Sequence, residues 1–143
     1  MIVYHGSSTL KNGQVPDGDA DSGAFFSLHK EFAKQFGETI HHFEISGSVI
    51  LDLRDCEHLS LIEESNHLRE VLQRVQVDKK TRLPIAFNHS IDLGSLESVK
   101  LLTISLGFIG AYFYETNGSI SVEVYDPSRL TWVKSEDNHN FSL

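Results

Sequence analysis

A histidine, a glycine and two serines stand in a row near the start of the chain, as His5-Gly6-Ser7-Ser8, directly after an apolar segment. An imidazole and two hydroxyls can hydrogen-bond a sugar or an amide. Glycine has no Cβ, so a ligand can approach its backbone closely. These residue types predict a strand that ends in a turn able to bind a flat polar ligand. The motif is short, and its weight depends on what else the chain carries.

Two glutamates near the C-terminal end are the candidate catalytic carboxylates. Residues 109–115 and 119–126 favour β-structure and flank Asn117-Gly118, a pair typical of a two-residue hairpin turn. A tight turn there places 115 opposite 120, 113 opposite 122 and 111 opposite 124. It predicts Glu115 at the hairpin tip among apolar residues, where a carboxylate must reach a partner, a ligand or water.

The same register puts Glu123 on the face that carries Tyr112, where the two side chains can form a cross-strand contact. Judged from the residues alone, such a contact for Glu123 and simple solvation for Glu115 are more probable than catalysis.

Other chemistries have weaker signals. The chain has eight histidines, but His41 and His42 are adjacent and point to opposite faces of a strand. The sequence also lacks the spacings typical of zinc sites, so we expect no metal. The single cysteine, Cys56, lies between acidic residues, which disfavour a thiolate nucleophile.

The elements that must position these residues are strands and helices without regular alternation. We expect strands over 2–5, 24–27, 40–46, 48–53 and 130–134, besides the hairpin. Ser27 is the predicted N-cap of a helix that ends at Gly37. Further helices are predicted over 59–77, with Ser60 and Glu63 as a capping box, and from about 96 to Gly107. This mixture predicts an α+β domain over 1–134 and a flexible polar tail over 135–143.

Composition excludes some function classes. With 40% hydrophobic and 22% charged residues, the chain is typical of a soluble globular domain. A net charge of −8 argues against direct nucleic-acid binding, which depends on basic side chains. The sequence shows no membrane-spanning apolar run and no secretory signal. We therefore expect a cytoplasmic protein that binds no membrane.

The order of the short motifs resembles a known family. The strand ending in Tyr4-His5-Gly6-Ser7 comes first, and residues 23–29 lead into a helix. Residues 37–41 read Gly-Glu-Thr-Ile-His, and a hairpin whose first strand ends in Glu115 follows far downstream. This is similar to the mono-ADP-ribosyltransferases of the histidine-containing, diphtheria-toxin-like branch, and among them to small phage-encoded anti-CRISPR ADP-ribosyltransferases. The resemblance covers roughly 1–45 and 95–126.

The resemblance implies a split β-sheet core with a few flanking helices, and NAD⁺ as the substrate. Glu115 would stabilise the positive charge on the ribose, although the anti-CRISPR relatives carry an aspartate there. A different alignment makes Glu123 the second choice. His5 would bind the adenosine-side ribose and Gly6 the nicotinamide amide. The remaining implied site residues are Ser7, Ser8, Phe25, Phe26, Ser27 and His29.

The implied activity is transfer of ADP-ribose from NAD⁺ to a side chain of a target protein. A fitting target has a basic, DNA-reading surface, such as a subunit of a CRISPR surveillance complex in the host bacterial cytoplasm. The alternatives are a non-catalytic acidic inhibitor on the same fold and an NAD-hydrolysing toxin. An RNA 2′-phosphotransferase is disfavoured because that chemistry needs several arginines.

Overall fold

A computed structural model describes residues 1–17, 23–86, 93–115 and 118–139 of the 143-residue chain. Its centre is a seven-stranded sheet with the strand order β4-β5-β6-β2-β1-β3-β7. The strands are β1 Ile2–Ser7, β2 Ala24–Ser27, β3 Thr39–Glu44, β4 Ile50–Leu51, β5 Gly110–Tyr114, β6 Ile120–Val124 and β7 Thr131–Asp137. All neighbours pair antiparallel except β4 and β5, which run parallel. The predicted α+β class is confirmed.

Helices flank the sheet. They are α1 Lys30–Ala33, α2 Cys56–Glu63, α3 Asn66–Leu72 and α4 Leu93–Ser105, with single 3₁₀ turns at Gly47–Val49 and Pro127–Arg129.

The helical stretch predicted over 59–77 is divided into α2 and α3, because Ser65 caps a new helix by accepting a hydrogen bond from the Leu68 amide. The predicted capping box is wrong, since Ser60 Oγ donates to the Cys56 carbonyl and Asp55 caps α2 instead. The predicted end of α4 is confirmed, because Gly107 has a φ of +82°.

Two hydrophobic clusters form the core. One packs α2, α3 and α4 against β4 and β5, around Ile62, Leu102 and Phe113. The other contains Phe26, Phe43 and Val122, contributed by β2, β3 and β6. Each large apolar side chain buried in this way stabilises the fold by roughly 1.5–3 kcal/mol. The two clusters therefore fix the sheet as a rigid support on which loops and the short α1 can present polar groups.

The middle of the sheet is its thinnest junction. In the described ranges, β1 and β2 are joined by one registered pair, Tyr4 with Ser27. By contrast, β1 forms six registered pairs with β3, and β2 forms four with β6. The short helix α1 contacts both β1 and β2 at this junction. This sparse pairing leaves room for a cleft between β1 and β2.

The C-terminal strand is longer than predicted. β7 pairs with β3 as far as Asp137, so Ser135, Glu136 and Asp137 belong to the sheet and not to a loose tail. Buried Asn138 follows, and its backbone amide donates to the Glu38 carbonyl at 2.7 Å. The last residues, 140–143, lie outside the described residues, and the predicted division into domain and tail stays a prediction.

Asn138 fastens α1 to the C-terminal strand. Its Nδ2 donates to the carbonyls of Lys34 at 2.7 Å and Gly37 at 2.9 Å. We expect Asn138→Ala to lower the free energy of unfolding by about 2–3 kcal/mol, because one buried and one partly buried carbonyl lose their donor. Urea denaturation measures this loss. The neighbouring exposed substitution His139→Ala is the control, with an expected change within about 0.5 kcal/mol. Equal midpoints for the two variants would show that the Asn138 amide does not hold α1.

Candidate functional site

A cavity of about 450 Å³ opens at the junction of β1, β2 and α1. Its walls are mostly aromatic, with few polar groups, as is usual for small-molecule sites. The lining residues are Tyr4, His5, Gly6, Phe25, Phe26, Ser27, Phe32, Ala33, Phe36, Glu115 and Ser121. His5 and Glu115, which lie far apart in sequence, therefore line the same cleft. The two side chains are therefore placed to contact the same ligand.

The His5 side chain has a defined orientation. Its Nδ1 lies 2.9 Å from the Phe25 carbonyl oxygen, which can only accept a hydrogen bond. Nδ1 therefore carries the proton, and in the neutral ring Nε2 is an acceptor. Burial lowers the pKa of His5 below its usual value, and the bond to Phe25 offsets this only in part. At neutral pH the cavity therefore holds a neutral imidazole whose Nε2 can accept a hydrogen bond.

Gly6 is required for packing as well as for access. A Cβ at this position would lie 2.0 Å from the Ala33 carbonyl oxygen and 3.3 Å from Phe36 Cβ. The absence of a side chain thus lets α1 lie directly on β1, and α1 contributes one wall of the cavity. The close approach at Gly6 is made by the protein's own helix.

Ser7 and Ser8 do not line the cavity. Ser7 Oγ accepts hydrogen bonds from the amides of Thr9 and Leu10, which closes the turn after β1. Ser8 Oγ accepts from the Glu38 amide at 3.0 Å. Both hydroxyls have local structural partners, as is common for serines in turns.

Glu115 owes its position to the register of the hairpin. β5 and β6 pair Tyr114 with Ile120 and Phe113 with Ser121, one residue away from the predicted register. The predicted two-residue turn is therefore wrong. The Glu115 amide instead donates to the Ser119 carbonyl, and Gly118 has a φ of +93°. Asn117 lies outside the described residues.

The corrected register brings Ser121 onto the same face as Glu115. Ser121 Oγ donates to Glu115 Oε1 at 2.8 Å. Burial raises the pKa of the Glu115 carboxyl, and the hydrogen bond from Ser121 acts in the opposite direction. The carboxylate is thus half-buried and held by one donor beside the cavity. A group in this setting can stabilise positive charge that develops on a bound ligand.

Glu123 has a structural role. It is 1% exposed, and its Oε1 accepts from the Gly23 amide at 2.7 Å. The Tyr125 hydroxyl donates to Oε2 at 3.4 Å. Burial raises the pKa of Glu123. It does not line the cavity, and its predicted partner Tyr112 pairs with Val122 on the other face. The carboxylate fastens the start of β2 to β6.

The implied residues around β2 divide between the cavity and its surroundings. Phe25 lines the cavity and makes an edge contact with Phe113, with ring centroids 6.0 Å apart. Phe26 borders the cavity but is 2% exposed and belongs to the core. Ser27 also borders the cavity, yet it does not cap α1. Its Oγ accepts from the His29 amide, and His29 itself is the N-cap residue.

His29 lines a second cleft that the sequence did not predict. This cleft has a volume of about 390 Å³ and lies between α1 and the hairpin tip. Its lining residues are His29, Glu31, Phe32, Gln35, Gly118 and Ser119. Phe32 lines both cavities, so the two spaces are neighbours. No sequence motif marks this cleft, because its two walls meet only in the folded chain.

The remaining histidine and cysteine residues show other roles. His41 Nδ1 lies 2.6 Å from Ser135 Oγ, and His42 Nε2 lies 3.2 Å from Glu136 Oε2. Among the residues that the structure describes, no group of three or more potential ligands is placed to hold a metal ion. Cys56 is an exposed free thiol at the start of α2.

The hydrogen bond between Ser121 and Glu115 allows a direct test of the site's electrostatics. We expect Ser121→Ala to raise the pKa of Glu115 further, because the carboxylate loses its donor and keeps its burial. The ¹³C resonance of the Glu115 carboxyl, followed against pH, should then titrate at a higher pH than in the original protein. Ser60→Ala, in which α2 loses a hydroxyl, is the control. An unchanged titration in Ser121→Ala would contradict the proposed pairing.

Comparisons with known proteins add a likeness of fold. No family model matches the chain, and no curated protein matches its sequence. A solved structure described as the crystal structure of an anti-CRISPR protein superposes with a TM-score of 0.53 at 17% identity. The alignment covers 94% of this chain and 94% of that one. At this identity the likeness shows a shared fold.

The helices of the described ranges were also compared with the thickness of a membrane. None of them is both long and apolar enough to cross it.

Proposed function

We propose that this protein is an NAD⁺-dependent mono-ADP-ribosyltransferase that modifies another protein. The observation that carries the proposal is the convergence of His5 and Glu115 on one aromatic cavity. The cavity volume of about 450 Å³ lies within the usual range for small-ligand sites. A neutral acceptor, a half-buried carboxylate and aromatic walls suit a ribose joined to a flat aromatic amide.

Each residue has a role that follows from its setting. When bound, NAD⁺ supplies a C–N bond whose cleavage places positive charge on the ribose carbon as nicotinamide leaves. Glu115 stabilises this charge and holds a ribose hydroxyl, as carboxylates do in glycoside hydrolysis. His5 Nε2 accepts a hydrogen bond from a ribose hydroxyl and so orients the sugar. Phe25 and Phe32 exclude water, which strengthens the interaction between the carboxylate and the developing charge.

The fold comparison suggests the biological setting. Because the neighbour is described as an anti-CRISPR protein, we place this chain in the same role and infer that it acts against a CRISPR complex. The net charge of −8 suits a protein target with a basic, nucleic-acid-reading surface. Attraction between opposite charges accelerates the association of two such proteins. Covalent modification of that surface would stop DNA recognition even when the protein is present in smaller amounts than its target.

The test is intact-mass analysis of candidate CRISPR subunits after incubation with the protein and NAD⁺. We expect a mass increase of one ADP-ribose on the target and release of one equivalent of nicotinamide. Omitting NAD⁺ is the control.

A second candidate is a non-catalytic acidic inhibitor, which the charge and the anti-CRISPR neighbour also suit. Tight, stoichiometric target binding with no NAD⁺ binding by calorimetry would favour it. Nicotinamide release without any modified protein would identify an NAD-hydrolysing toxin instead.

A further inference from the structure

The loop of residues 78–83, which we call the basic loop, concentrates positive charge on a chain that is otherwise acidic. We propose that it binds the phosphodiester backbone of a nucleic acid strand held by the target complex. The choice of partner rests on the proposed function, because a nucleic-acid-reading target carries such a strand. The binding itself needs neither NAD⁺ nor ADP-ribosyl transfer.

The positive charge of this region is local and exposed. Residues 74–82 contain four of the chain's 12 lysines and arginines and one of its 20 acidic residues, so the segment carries +3 within a chain of net charge −8. Lys79, Lys80 and Arg82 are exposed. Within the described ranges none of these three cations forms a salt bridge. They are therefore available to an anionic partner.

The one carboxylate of the basic loop is occupied by the loop itself. Asp78 Oδ2 accepts hydrogen bonds from the Thr81 amide at 2.7 Å and from the Thr81 hydroxyl at 2.8 Å. These bonds, together with the nearby Lys80, lower the pKa of Asp78. Asp78 thus shapes the loop and offsets only a part of its positive charge.

The basic loop is closed by backbone hydrogen bonds. The Asp78 amide donates to the Leu83 carbonyl at 2.9 Å, and the Arg82 amide donates to the Asp78 carbonyl at 2.8 Å. Arg82 has a φ of +62°, a backbone conformation that glycine adopts without strain and arginine rarely adopts. An arginine side chain therefore stands where the backbone favours glycine. A preformed loop of this kind loses little freedom when it binds a partner.

The basic loop is anchored to the strand that leads to Glu115. Leu83 is fully buried, which fixes one end of the loop in the core. The Tyr114 amide donates to the Pro84 carbonyl at 2.8 Å, and the Tyr114 carbonyl accepts from the Ala86 amide at 2.8 Å. Tyr114 directly precedes Glu115, so the loop is tied through β5 to the wall of the cavity. A strand bound by the loop is therefore fixed in position relative to the cavity.

Phosphodiesters suit these cations better than scattered carboxylates do. A nucleic acid strand presents a regular row of negative charges, and contacts from lysine and arginine supply most of its non-specific affinity. Arg82 can bind two oxygens of one phosphate, while Lys79 and Lys80 provide point charges. The acidic remainder of the chain repels the rest of the strand, so the contact is confined to the loop. The overall charge of −8 opposes nucleic-acid binding by the whole surface but not by this loop.

Fluorescence anisotropy with the whole protein and no NAD⁺ tests the binding. The probes are a labelled single-stranded RNA, a single-stranded DNA of the same sequence and labelled polyglutamate. We expect both nucleic acids to bind more tightly than polyglutamate, with a slope of log affinity against log salt concentration of about −2 for three contacts. Polyglutamate binding as tight as that of RNA and DNA would overturn the phosphodiester assignment. Absence of binding to every probe at low salt would overturn the proposal and leave the proposed transferase activity untouched.

A matched pair of double charge reversals tests the location. Lys79→Glu/Arg82→Glu should weaken RNA binding roughly tenfold or more. Lys11→Glu/Arg129→Glu makes the same change in net charge at exposed residues near β1 and β7 and should leave the affinity within about twofold. Equal losses would mean that overall charge, and not the basic loop, governs binding.

A milder variant guards against unfolding. Arg82→Gly removes one cation at a φ that glycine accepts, so the loop should keep its shape while the salt slope falls by about 0.7. An unchanged slope in this folded variant would show that Arg82 contacts no phosphate. Thermal unfolding confirms that each variant is folded. NAD⁺ affinity by calorimetry should be the same in all of them, because the basic loop does not line the cavity. Failure of the unaltered protein to bind NAD⁺ would contradict the proposed function and not the role of the loop.

Discussion

Replacing Glu115 by glutamine is expected to reduce the proposed ADP-ribosyl transfer by about 10²–10³-fold, the scale seen when one preorganised electrostatic group is removed from an active site. Glutamine keeps the shape of the side chain and an oxygen that can accept from Ser121 Oγ. It removes the negative charge that would stabilise the positive charge developing on the ribose. Transfer of label from NAD⁺ to the target, measured at equal protein concentrations, reports the loss. The fold should be unaffected, because Glu115 is only half-buried.

Glu123→Gln is the matched control for this experiment. It makes the same chemical change on the same hairpin face, but at a carboxylate outside the cavity. Its Oε1 would still accept from the Gly23 amide. Because burial raises the pKa of Glu123, the charged form is penalised in the folded protein at neutral pH, and glutamine removes that penalty. Transfer should therefore persist. Full activity of Glu115→Gln together with loss in Glu123→Gln would reverse the assignment of the catalytic carboxylate.

Gly6→Ala is expected to lower the free energy of unfolding by about 3 kcal/mol, the upper part of the range for overpacked sites. The added methyl group would lie 2.0 Å from the Ala33 carbonyl oxygen. That oxygen already accepts a hydrogen bond from the Phe36 amide, so α1 cannot move without losing a bond. Displacement of α1 would also widen the cavity, and NAD⁺ affinity should fall with stability. Urea denaturation and calorimetric titration with NAD⁺ measure the two effects.

Gly47→Ala provides the comparison for Gly6. A Cβ at Gly47 would meet the Tyr112 hydroxyl at 3.6 Å, an ordinary contact. We expect its unfolding free energy to stay within about 0.5 kcal/mol of the original protein. If Gly6→Ala unfolds at the same urea concentration as Gly47→Ala, then Gly6 is not needed for the close packing of α1 on β1.

The hairpin shows which structural features the local sequence predicts and which it does not. The β-forming runs and the Asn-Gly pair correctly predicted that residues before 115 and after 119 form paired strands. They did not fix the register, because the turn type depends on backbone angles that several sequences can adopt. A shift of one residue moves every side chain to the opposite face relative to its partner. The shift places Ser121 beside Glu115, and the site depends on that contact.

The His-Gly-Ser segment shows a similar division. Its position at the end of a strand was predictable, because an apolar run meets a turn there. The separate roles of its members were not, since Gly6 faces Ala33, while Ser7 and Ser8 bond the Leu10 and Glu38 amides. Of these residues only His5 and Gly6 line the cavity, because the Ser7 and Ser8 hydroxyls are engaged by backbone amides beside it.

The sequence by itself determined the α+β class, the approximate strands, the end of α4 and the pair His5 and Glu115 as candidates. The first three follow from local backbone preferences and hydrophobic periodicity, whereas the pairing of His5 with Glu115 came from the family resemblance. Only the tertiary structure decided that His5 and Glu115 share one cavity, that Glu123 is a buried anchor and that a second cleft adjoins Glu115. Each of these results depends on strand order and register, which are fixed by packing between segments distant in sequence. Local signals do not contain that information.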